Sequence, residues 1–292
     1  MDMDLFLQLS ANGLVLGMFY ALSALGLTLV FGLMRVVNFA HGELYVVGGL
    51  IGWALTETLG LNFFVTLAIV VVVLGAAGYL IDRLLITWVR GQGEEPTILL
   101  TIGLSIFITN TALLIVGTTP QTVLSPFKSK PLFLGPVVLT QSRLFLVAIC
   151  AALIVGAYLL IQRTGLGRAM RATFQDPMAA QLVGIRTSHI YGFTFALGAA
   201  FAGAAGMLLG SIYVVQASIG GVVSLKAFVV VILGGMGSFP GAIVGGLILG
   251  LAEALWGGYV NTGYVDAIGF GLVIVMLLVR PYGLFGKRIE RA

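Results

Sequence analysis

Four residues that could take part in chemistry lie close together in an otherwise apolar part of the chain. The segment 35–43, RVVNFAHGE, places Arg35, Asn38, His41 and Glu43 between two apolar runs. An ionisable side chain at the centre of a bilayer costs about 2.5–3.5 kcal/mol on insertion scales. Two interpretations follow. The segment is either a cytoplasmic interhelical turn, with Asn38 as a cap and Glu43 near a helix start, or a structured segment at the end of a transport pathway that holds a gate.

The other polar residues form no recognisable catalytic or metal-binding pattern. His41 and His189 are the only histidines, and the sequence contains no G-x-x-x-x-G-K-[ST], H-E-x-x-H or G-x-S-x-G motif. The single cysteine, Cys150, lies in an apolar run and is expected to be a small core residue. We therefore predict no enzyme activity, no cofactor and no metal site. If ATP drives this protein, another chain must hydrolyse it.

The composition places the chain in a membrane. Of its 292 residues, 59% are hydrophobic and 9% are charged, and the mean hydropathy is +1.11. An ordinary globular protein has roughly 45–50% apolar and about 25% charged residues, and so short a soluble chain cannot bury this much apolar side chain. The net charge of +4 is interpreted as a cytoplasmic surplus of Lys and Arg. The expected fold class is all-α, a polytopic transmembrane helical bundle in lipid, with no nucleic-acid partner.

Eight or nine segments are predicted to cross the bilayer, which takes about 20 apolar residues per helix. Eight candidates are 5–34, 44–59, 63–86, 97–116, 144–161, 191–215, 241–256 and 267–279. The ninth, 222–233, reaches only about 18 Å at 1.5 Å per residue. It is either a half-helix or a span whose ends are buried in protein. No cleavable signal peptide is recognised, so the first segment is expected to remain as a span.

Loop charges predict the orientation. The loop 162–190 carries four arginines against one acid, and the tail from residue 280 carries four basic residues against one acid, so both are placed in the cytoplasm. The N-terminus carries two Asp and no basic residue, so it is placed in the periplasm. These assignments require an odd number of crossings, which favours nine. The loop 118–142, with Lys128 and Lys130 and no acid, is an exception to the rule.

A second interruption of the apolar pattern is glycine-rich. The segment 234–241, GGMGSFPG, contains four Gly and one Pro and cannot continue a helix. Ser238 is predicted to cap a helix that begins near Pro240. Like 35–43, this break separates an apolar run from a glycine-rich helix. Interrupted segments at matching places in two halves of a chain point to a transport site, so the two breaks are hypothesised to be equivalent.

The long basic loop contains a predicted short helix. Within 175–184, QDPMAAQLVG, Asp176 is placed to cap, Pro177 to occupy the first helical position and Gly184 to end a helix of about two turns. Met178 and Leu182, with the neighbouring valine, would present an apolar knob to a soluble partner. The alternative is a helix that lies on the membrane surface, drawn there by its basic flanks.

Two further acids bear on alternative functions. Glu57 and Glu253 lie near span ends and are interpreted as interfacial residues. A transporter driven by protons or sodium would need paired carboxylates within the membrane. Only Glu43 and Glu253 qualify, which leaves ion coupling as the weaker alternative. An intramembrane enzyme is disfavoured by the missing catalytic spacings, and a purely structural subunit is disfavoured by the two breaks.

Four segments resemble, in order and spacing, the permease subunits of the branched-chain (hydrophobic) amino acid uptake family of ABC transporters, the LivH type. They are GLTLVFGLMRVVNFAHGELYVVGG, TGLGRAMRATFQDPMAAQLVGIRT, LGGMGSFPGAIVGGLILGLAEAL and RPYGLFG, and the resemblance covers nearly the whole chain. It implies a single permease domain over residues 1–292 in the bacterial inner membrane, with a cytoplasmic coupling loop at 162–190. The implied partners are a second, related LivM-like permease, two ABC ATPase subunits and a periplasmic substrate-binding protein.

The resemblance also implies roles for particular residues. In the family's coupling motif two alanines are followed by a glycine four residues on. Ala179, Ala180 and Gly184 match it, whereas Met178 stands where an acid is usual. The expected ATPase-coupling residues are Asp176, Met178, Ala179, Ala180, Leu182 and Gly184. The residues expected to line the substrate pathway or gate, selected by depth and by the breaks, are Asn38, His41, Glu43, Asn110, Gln216, Gly234, Gly235 and Gly237.

The function implied by the resemblance is import of branched-chain or other hydrophobic amino acids by ATP-driven alternating access. The short helix at 175–184 is expected to be continuous with the spans on either side and to tilt them when the ATPases close. Members of the family also import urea, short amides or aromatic acids, and these remain alternative substrates.

Overall fold

Helices make up nearly all the regular structure, as the apolar runs predict. The computed structural model describes residues 3–34, 37–125 and 130–286. Its helices are α1 (Met3–Met34), α2 (His41–Trp53), α3 (Phe63–Ile81), α4 (Thr87–Val89), α5 (Glu95–Val116), α6 (Gln141–Arg163), α7 (Gly165–Gln175), α8 (Pro177–Leu182), α9 (Thr187–Gly210), α10 (Gly220–Gly234), α11 (Phe239–Tyr259) and α12 (Val265–Val279). The prediction is confirmed in part, since the described residues are mostly helical but also contain one β-hairpin.

Short elements complete the description. The strands β1 (Pro131–Leu134) and β2 (Val137–Thr140) form an antiparallel hairpin. π-helical turns at Ala54–Thr58 and Asp82–Ile86 continue α2 and α3, and a 3-10 turn at Thr262–Tyr264 precedes α12. Arg35, Lys128 and the charged residues after 286, all used above, lie outside the described residues.

Seven helical stretches of the described residues are long and apolar enough to cross a membrane. They are Met3–Met34, Phe63–Val89, Glu95–Val116, Gln141–Arg163, Thr187–Gly210, Phe239–Tyr259 and Thr262–Val279. Two more predicted spans are helical but short. α10 has 15 residues, and α2 has 13 residues that are continued by the five of the π-helical turn Ala54–Thr58. At 1.5 Å per residue these stretches measure about 22 and 27 Å, against a hydrocarbon core of about 30 Å. The total of eight or nine crossings stays a prediction.

The centre of the bundle is formed by α1 and α9. In their most apolar windows 67% and 78% of residues are buried, against 11% in α5 and 6% in α12. The two central helices touch through glycine, since a Cβ built on Gly26 would lie 2.5 Å from the Gly198 carbonyl oxygen. Small residues allow this backbone approach. The faces of α5 and α12 are left without cover from this chain.

Contacts define the two ends of the bundle. At one end, called the α8 end, Phe174 of α7 lies beside the end of α1 and the turn after α10. A Cβ built on Gly32 or on Gly237 would lie 3.3 or 3.4 Å from its Cε2. At the other, the hairpin end, the Gln8 side chain of α1 donates to the Val138 carbonyl at 3.0 Å and accepts from the Val138 N–H at 2.7 Å. The described chain thus begins at the hairpin end.

The helix α2 begins about two-thirds of the way along α1. His41, its first residue, places Nε2 2.9 Å from the Ser23 carbonyl oxygen, and Ser23 lies about 16 Å along the α1 axis from Met34. Residues 37–40 therefore lie well inside the bundle, away from the α8 end where α1 stops, and they form no helix. Non-helical backbone at such depth is tolerated only where it is buried in protein or lines a cavity.

The helix α10 begins at the same level as α2. The Gly42 N–H donates to Ser224 Oγ at 2.8 Å, and the Ser224 hydroxyl donates to the Phe39 carbonyl at 3.0 Å. From here α10 runs to the α8 end, where the Gly234 carbonyl accepts from the Phe285 N–H at 3.0 Å. The N-termini of two half-length helices thus meet inside the bundle. We call residues 37–43 and 219–224 the half-helix junction.

The predicted equivalence of 35–43 and 234–241 is wrong. The segment 37–43 meets residues 219–224, at the end of the 211–219 connection between α9 and α10, whereas 234–241 is a tight turn between α10 and α11. The helix α9 ends at Gly210, although the apolar run continues to Val215, which instead pairs with Gln121 as an isolated bridge. Because 211–219 is mostly apolar, hydropathy does not mark it as an interruption.

Candidate transport pathway and coupling helix

The polar side chains of 37–43 are buried at the half-helix junction. Asn38 and His41 are each 1% exposed, so this part of the segment is not an exposed interhelical turn. Asn38 Oδ1 accepts from the Ala40 N–H at 3.1 Å, a local bond of the kind expected for a cap. Neither Asn38 nor His41 lines the two cavities described below. Their contacts position the start of α2.

Glu43 lies between the first turns of α2 and α10. A Cβ built on Gly220 would lie 2.1 Å from Glu43 Oε2, so only glycine fits there. Glu43 Oε1 accepts from the Ser105 hydroxyl of α5 at 3.1 Å, while Oε2 has no hydrogen-bond partner among the described residues. Helix N-termini carry the positive end of the helix dipole. A carboxylate at this place is therefore attracted by both half-helices.

A cavity of about 360 Å³ opens beside the junction, toward the hairpin end. Its walls come from α1, α2, the end of α9, the 211–219 connection and α10. The apolar lining residues are Leu16, Phe19, Leu209, Val214, Ile219, Val222, Val223 and Ala227, and the polar ones are Tyr20, Ser23, Tyr45, Tyr213 and Lys226. Apolar walls with a few polar groups are typical of small-molecule sites.

A charged cluster forms one edge of this cavity. The Lys226 ammonium donates to both carboxylate oxygens of Glu253 at 2.9 and 3.0 Å and to the Tyr20 hydroxyl at 3.1 Å. Asp266 Oδ1 lies 3.0 Å from Lys226 Nζ, and the Tyr20 hydroxyl donates to Glu253 Oε2 at 2.7 Å. Glu253 is 3% exposed, so it is buried against its partners rather than exposed at the membrane surface. A buried carboxylate is tolerated here because it is paired.

Lys226 is a candidate that the apolar pattern hides. It is the only charged residue in 222–233, and a lone ionisable residue in such a run is itself a signal of function. Its partners Tyr20 and Glu253 lie 206 and 27 residues away, so no local pattern reveals the pairing. A second cavity of about 220 Å³ lies between α10, α11 and α12, with Lys226, Glu253 and Asp266 in its lining.

Asn110 and Gln216 lie outside both cavities. The Asn110 side chain donates to the Ile106 carbonyl of its own helix at 2.7 Å, and the Gln216 side chain donates to the Thr118 carbonyl at 3.4 Å. The expectation that they contact substrate in the cavity has no support in this geometry. Depth along a helix does not tell which of its faces turns inward.

The glycine-rich turn lies at the α8 end, away from both cavities. Gly235 and Gly237 have φ of +100° and +79°, a region that glycine adopts readily. The Gly234 carbonyl accepts from the Phe285 N–H, and Ser238 caps α11 through a backbone N–H at 3.2 Å, as predicted. Gly234, Gly235 and Gly237 therefore join α10, α11 and the C-terminal segment.

The helix α8 has the predicted caps. Asp176 Oδ1 accepts from the backbone N–H groups of Met178 at 2.8 Å and Ala179 at 3.0 Å. Gly184 follows the helix with φ of +85°, and no atom lies within 4 Å of a Cβ built on it. Asp176 and Gly184 thus begin and end a helix of six residues.

One face of α8 is apolar and uncovered. Met178, Leu182 and Val183 are 75%, 85% and 76% exposed, whereas Ala180 is buried. Large apolar side chains in contiguous exposed positions mark an interaction surface. The six residues expected to couple to an ATPase thus form a capped, protruding element at the α8 end.

The helix α8 is not continuous with the flanking spans, contrary to the expectation. α6 ends at Arg163, Thr164 caps a separate amphipathic helix, α7, and Asp176 separates α7 from α8. Met170 of α7 packs in one cluster with Leu33 of α1 and Ile190 of α9. Movement of α8 would therefore reach the central helices through side-chain packing of α7 and through the Gln181 side chain, which donates to the Thr187 hydroxyl of α9 at 2.9 Å.

A polar network joins the end of α3 to the start of α9, next to α8 in sequence. Asp82, fully buried, forms an ion pair with Arg90, and the Arg90 guanidinium lies 4.3 Å from the Tyr191 ring centroid. Arg83 donates to the Ser188 hydroxyl at 3.2 Å. The apolar run 63–86 predicts one uninterrupted span and does not single out these residues. The adjacent charges of Asp82 and Arg83 are the sequence signal that points to them.

Half-length helices that meet inside an apolar bundle, beside a partly polar cavity, define the class of membrane transport proteins. Similarity to known proteins supports the same class. The sequence profile of the family described as branched-chain amino acid transport system / permease component matches residues 9–278. The chain is 37% identical to the Escherichia coli K12 high-affinity branched-chain amino acid transport system permease protein LivH, over 97% of this chain and 96% of LivH. This chain belongs to the family of branched-chain amino acid transport permeases.

Two further likenesses are more distant. The Escherichia coli K12 high-affinity branched-chain amino acid transport system permease protein LivM is 28% identical to this chain, over 92% of this chain and 68% of LivM. The structure of PsaBC from Streptococcus pneumoniae in complex with Fab contains a similar fold, with a TM-score of 0.53 and 13% identity over 95% of this chain and 92% of that chain. At this identity the likeness shows the fold alone.

Proposed function

We propose that this chain is the membrane permease subunit of an ATP-driven importer of branched-chain or similar hydrophobic amino acids. The observation that carries the proposal is the mostly apolar cavity where α2 and α10 meet, in a chain 37% identical to LivH. A cavity with apolar walls and a polar edge suits a small zwitterion with an apolar side chain. Urea and short amides, which the family resemblance leaves open, lack the apolar part that these walls would cover.

The proposed topology places the α8 end in the cytoplasm of a bacterium, the hairpin end in the periplasm, and the whole chain in the inner membrane as a single permease domain. Counting α2 and α10 as crossings completed by the non-helical segments 37–40 and 211–219 gives nine. The basic loop 162–190 at the α8 end supports this orientation.

The proposed partners follow from the uncovered surfaces. A second, LivM-like permease is expected to cover faces that this chain leaves open, since α5 and α12 are 11% and 6% buried. Two ABC ATPase subunits are expected at the α8 end, one of them bound to α8 through Met178, Leu182 and Val183. A periplasmic binding protein would deliver the amino acid at the hairpin end. This subunit itself is proposed to have no catalytic role.

The experiment that tests this proposal is reconstitution of the complete complex, that is, this chain with its proposed second permease, ATPase subunits and binding protein from the same organism. Vesicles loaded with ATP are expected to accumulate radiolabelled leucine only when the binding protein is present. Adding a protonophore and a sodium ionophore should leave uptake unchanged. Uptake that needs an ion gradient but not ATP would refute the proposal and favour the ion-coupled alternative.

A further inference from the structure

We propose that the 360 Å³ cavity is a binding site for an α-amino acid in transit, with Ser23 and Lys226 as its polar anchors. This inference rests on the proposed function and adds the location of the substrate and the groups that hold it. In the proposed topology the cavity lies on the periplasmic side of the half-helix junction. It is therefore the site reached from the binding protein before the junction opens.

Ser23 is the first observation. Ser23 lines the cavity and is 4% exposed, yet its buried Oγ has no hydrogen-bond partner among the described residues. Its carbonyl is already taken by His41. A buried hydroxyl without a partner is unfavourable, so a ligand group that bonds to it is favoured. The α-ammonium of an amino acid is a donor that fits an unused hydroxyl oxygen.

The charged cluster is the second observation. Tyr20 and Ser23 are three residues apart on α1 and so share a face of that helix, and the Lys226 ammonium lies 3.1 Å from the Tyr20 hydroxyl. The Lys226 side chain is 21% exposed, and its partner Asp266 is 64% exposed. Asp266 lies on the side of the second cavity and Tyr20 on the side of the first. The α-carboxylate of the substrate is assigned to Lys226 on the Tyr20 side, while buried Glu253 keeps its bonds.

The apolar walls complete the assignment. With the zwitterion at Ser23 and Lys226, the amino-acid side chain is left to the remaining surface, which is apolar and comes from α1, α9 and α10. Burial of such a side chain is favourable because it removes apolar surface from water. A substrate with a charged side chain would have no partner on these walls. The site therefore selects for hydrophobic amino acids independently of the binding protein.

Substrate protection of an introduced cysteine tests the location. Val214→Cys places a thiol on the cavity wall, and Leu225→Cys places one in the second cavity; the native side chains are 53% and 46% exposed. The native Cys150 is buried.

In the reconstituted complex, leucine-loaded binding protein with ATP should slow maleimide labelling of Val214→Cys at least about threefold relative to leucine-free binding protein. Labelling of Leu225→Cys should stay unchanged. Equal labelling rates of Val214→Cys with and without leucine would overturn the assignment.

Substitutions that remove or keep the Ser23 hydroxyl test its role as a polar anchor. Ser23→Ala should raise the leucine concentration for half-maximal uptake, or lower the uptake rate, by about five- to tenfold, the effect of one hydrogen bond. Ser23→Thr, which keeps the hydroxyl, should retain uptake, and ATP hydrolysis stimulated by the binding protein should be unchanged in both. Normal uptake by Ser23→Ala would overturn the anchor. A wild-type complex without ATP-dependent uptake would instead overturn the proposed function.

Discussion

Substitution of Gly206 by alanine should break the packing between α2 and α9. A Cβ built on Gly206 would lie 1.9 Å from the carbonyl oxygen of Tyr45 and 3.2 Å from the backbone nitrogen of Gly49. These are backbone atoms of α2, so no side chain can turn away. Restoring an ordinary contact of about 3.4 Å would need the two helices to move apart by about 1.5 Å.

The magnitude follows from two opposing effects. In an exposed helix interior alanine is more favourable than glycine by about 0.5–1 kcal/mol. Overpacking in a close-packed interior costs about 1–3 kcal/mol and sometimes more. The clash involves a backbone atom, so we expect the upper part of that range and a net destabilisation of about 2 kcal/mol. Since α2 starts at the half-helix junction, transport should be lost as well.

The matched control is Gly156→Ala in α6, since no atom lies within 4 Å of a Cβ built there. Thermal unfolding of the detergent-solubilised complex, followed by the intrinsic tryptophan fluorescence, should show a lower midpoint for Gly206→Ala and an equal or higher one for Gly156→Ala. Leucine uptake is measured on the same preparations. If Gly206→Ala kept wild-type stability and uptake, the packing argument for α2 and α9 would be refuted.

Three further predictions concern the coupling helix and the charged cluster. Asp176→Ala removes both capping bonds of α8 and should weaken the helix by about 1 kcal/mol. We expect it to lower the ratio of uptake to ATP hydrolysed, whereas Asp176→Asn should keep that ratio. An unchanged ratio in Asp176→Ala would contradict a role for the cap. Gly184→Val places a β-branched residue at φ of +85° and should uncouple ATP hydrolysis from uptake. The complex should still fold, since no atom lies within 4 Å of a Cβ built on Gly184. A normal ratio of uptake to ATP hydrolysed would exclude α8 as the coupling element. Lys226→Met removes the cationic partner of the buried Glu253 and should destabilise the protein by about 3–5 kcal/mol. Lys226→Met combined with Glu253→Gln should recover much of the lost stability, as measured by thermal unfolding midpoints. A double variant no more stable than the single one would argue against the ion pair.

Much of the fold is predictable because each element has a local signal. All nine apolar runs contain a helix, and the interruption before His41 is real. The short helix α8 was predicted with its Asp176 cap and Gly184 stop because capping and termination depend on residues within one turn. Cys150 is a buried core residue, as its apolar neighbours indicate.

What could not be predicted depends on contacts between distant residues. Hydropathy shows that 222–233 is short but not that α10 starts against α2, because that contact joins Gly42 to Ser224, 182 residues apart. The same limit hides Lys226, whose charge is compensated by Glu253 on another helix. The position of Asn110 and Gln216 outside both cavities could not be predicted for a related reason, since the inward face of a helix is set by its neighbours.

The half-helix α10 ends on bonds from the very end of the described chain. The Leu284 and Phe285 N–H groups donate to the Leu233 and Gly234 carbonyls, each at 3.0 Å, so they satisfy carbonyls that a helix C-terminus leaves free. A purification tag or a truncation near residue 284 would disturb that cap from outside the bundle. The opposite terminus, where the first residues of α1 are exposed, is therefore the better attachment point for tags, fluorophores or fusion partners.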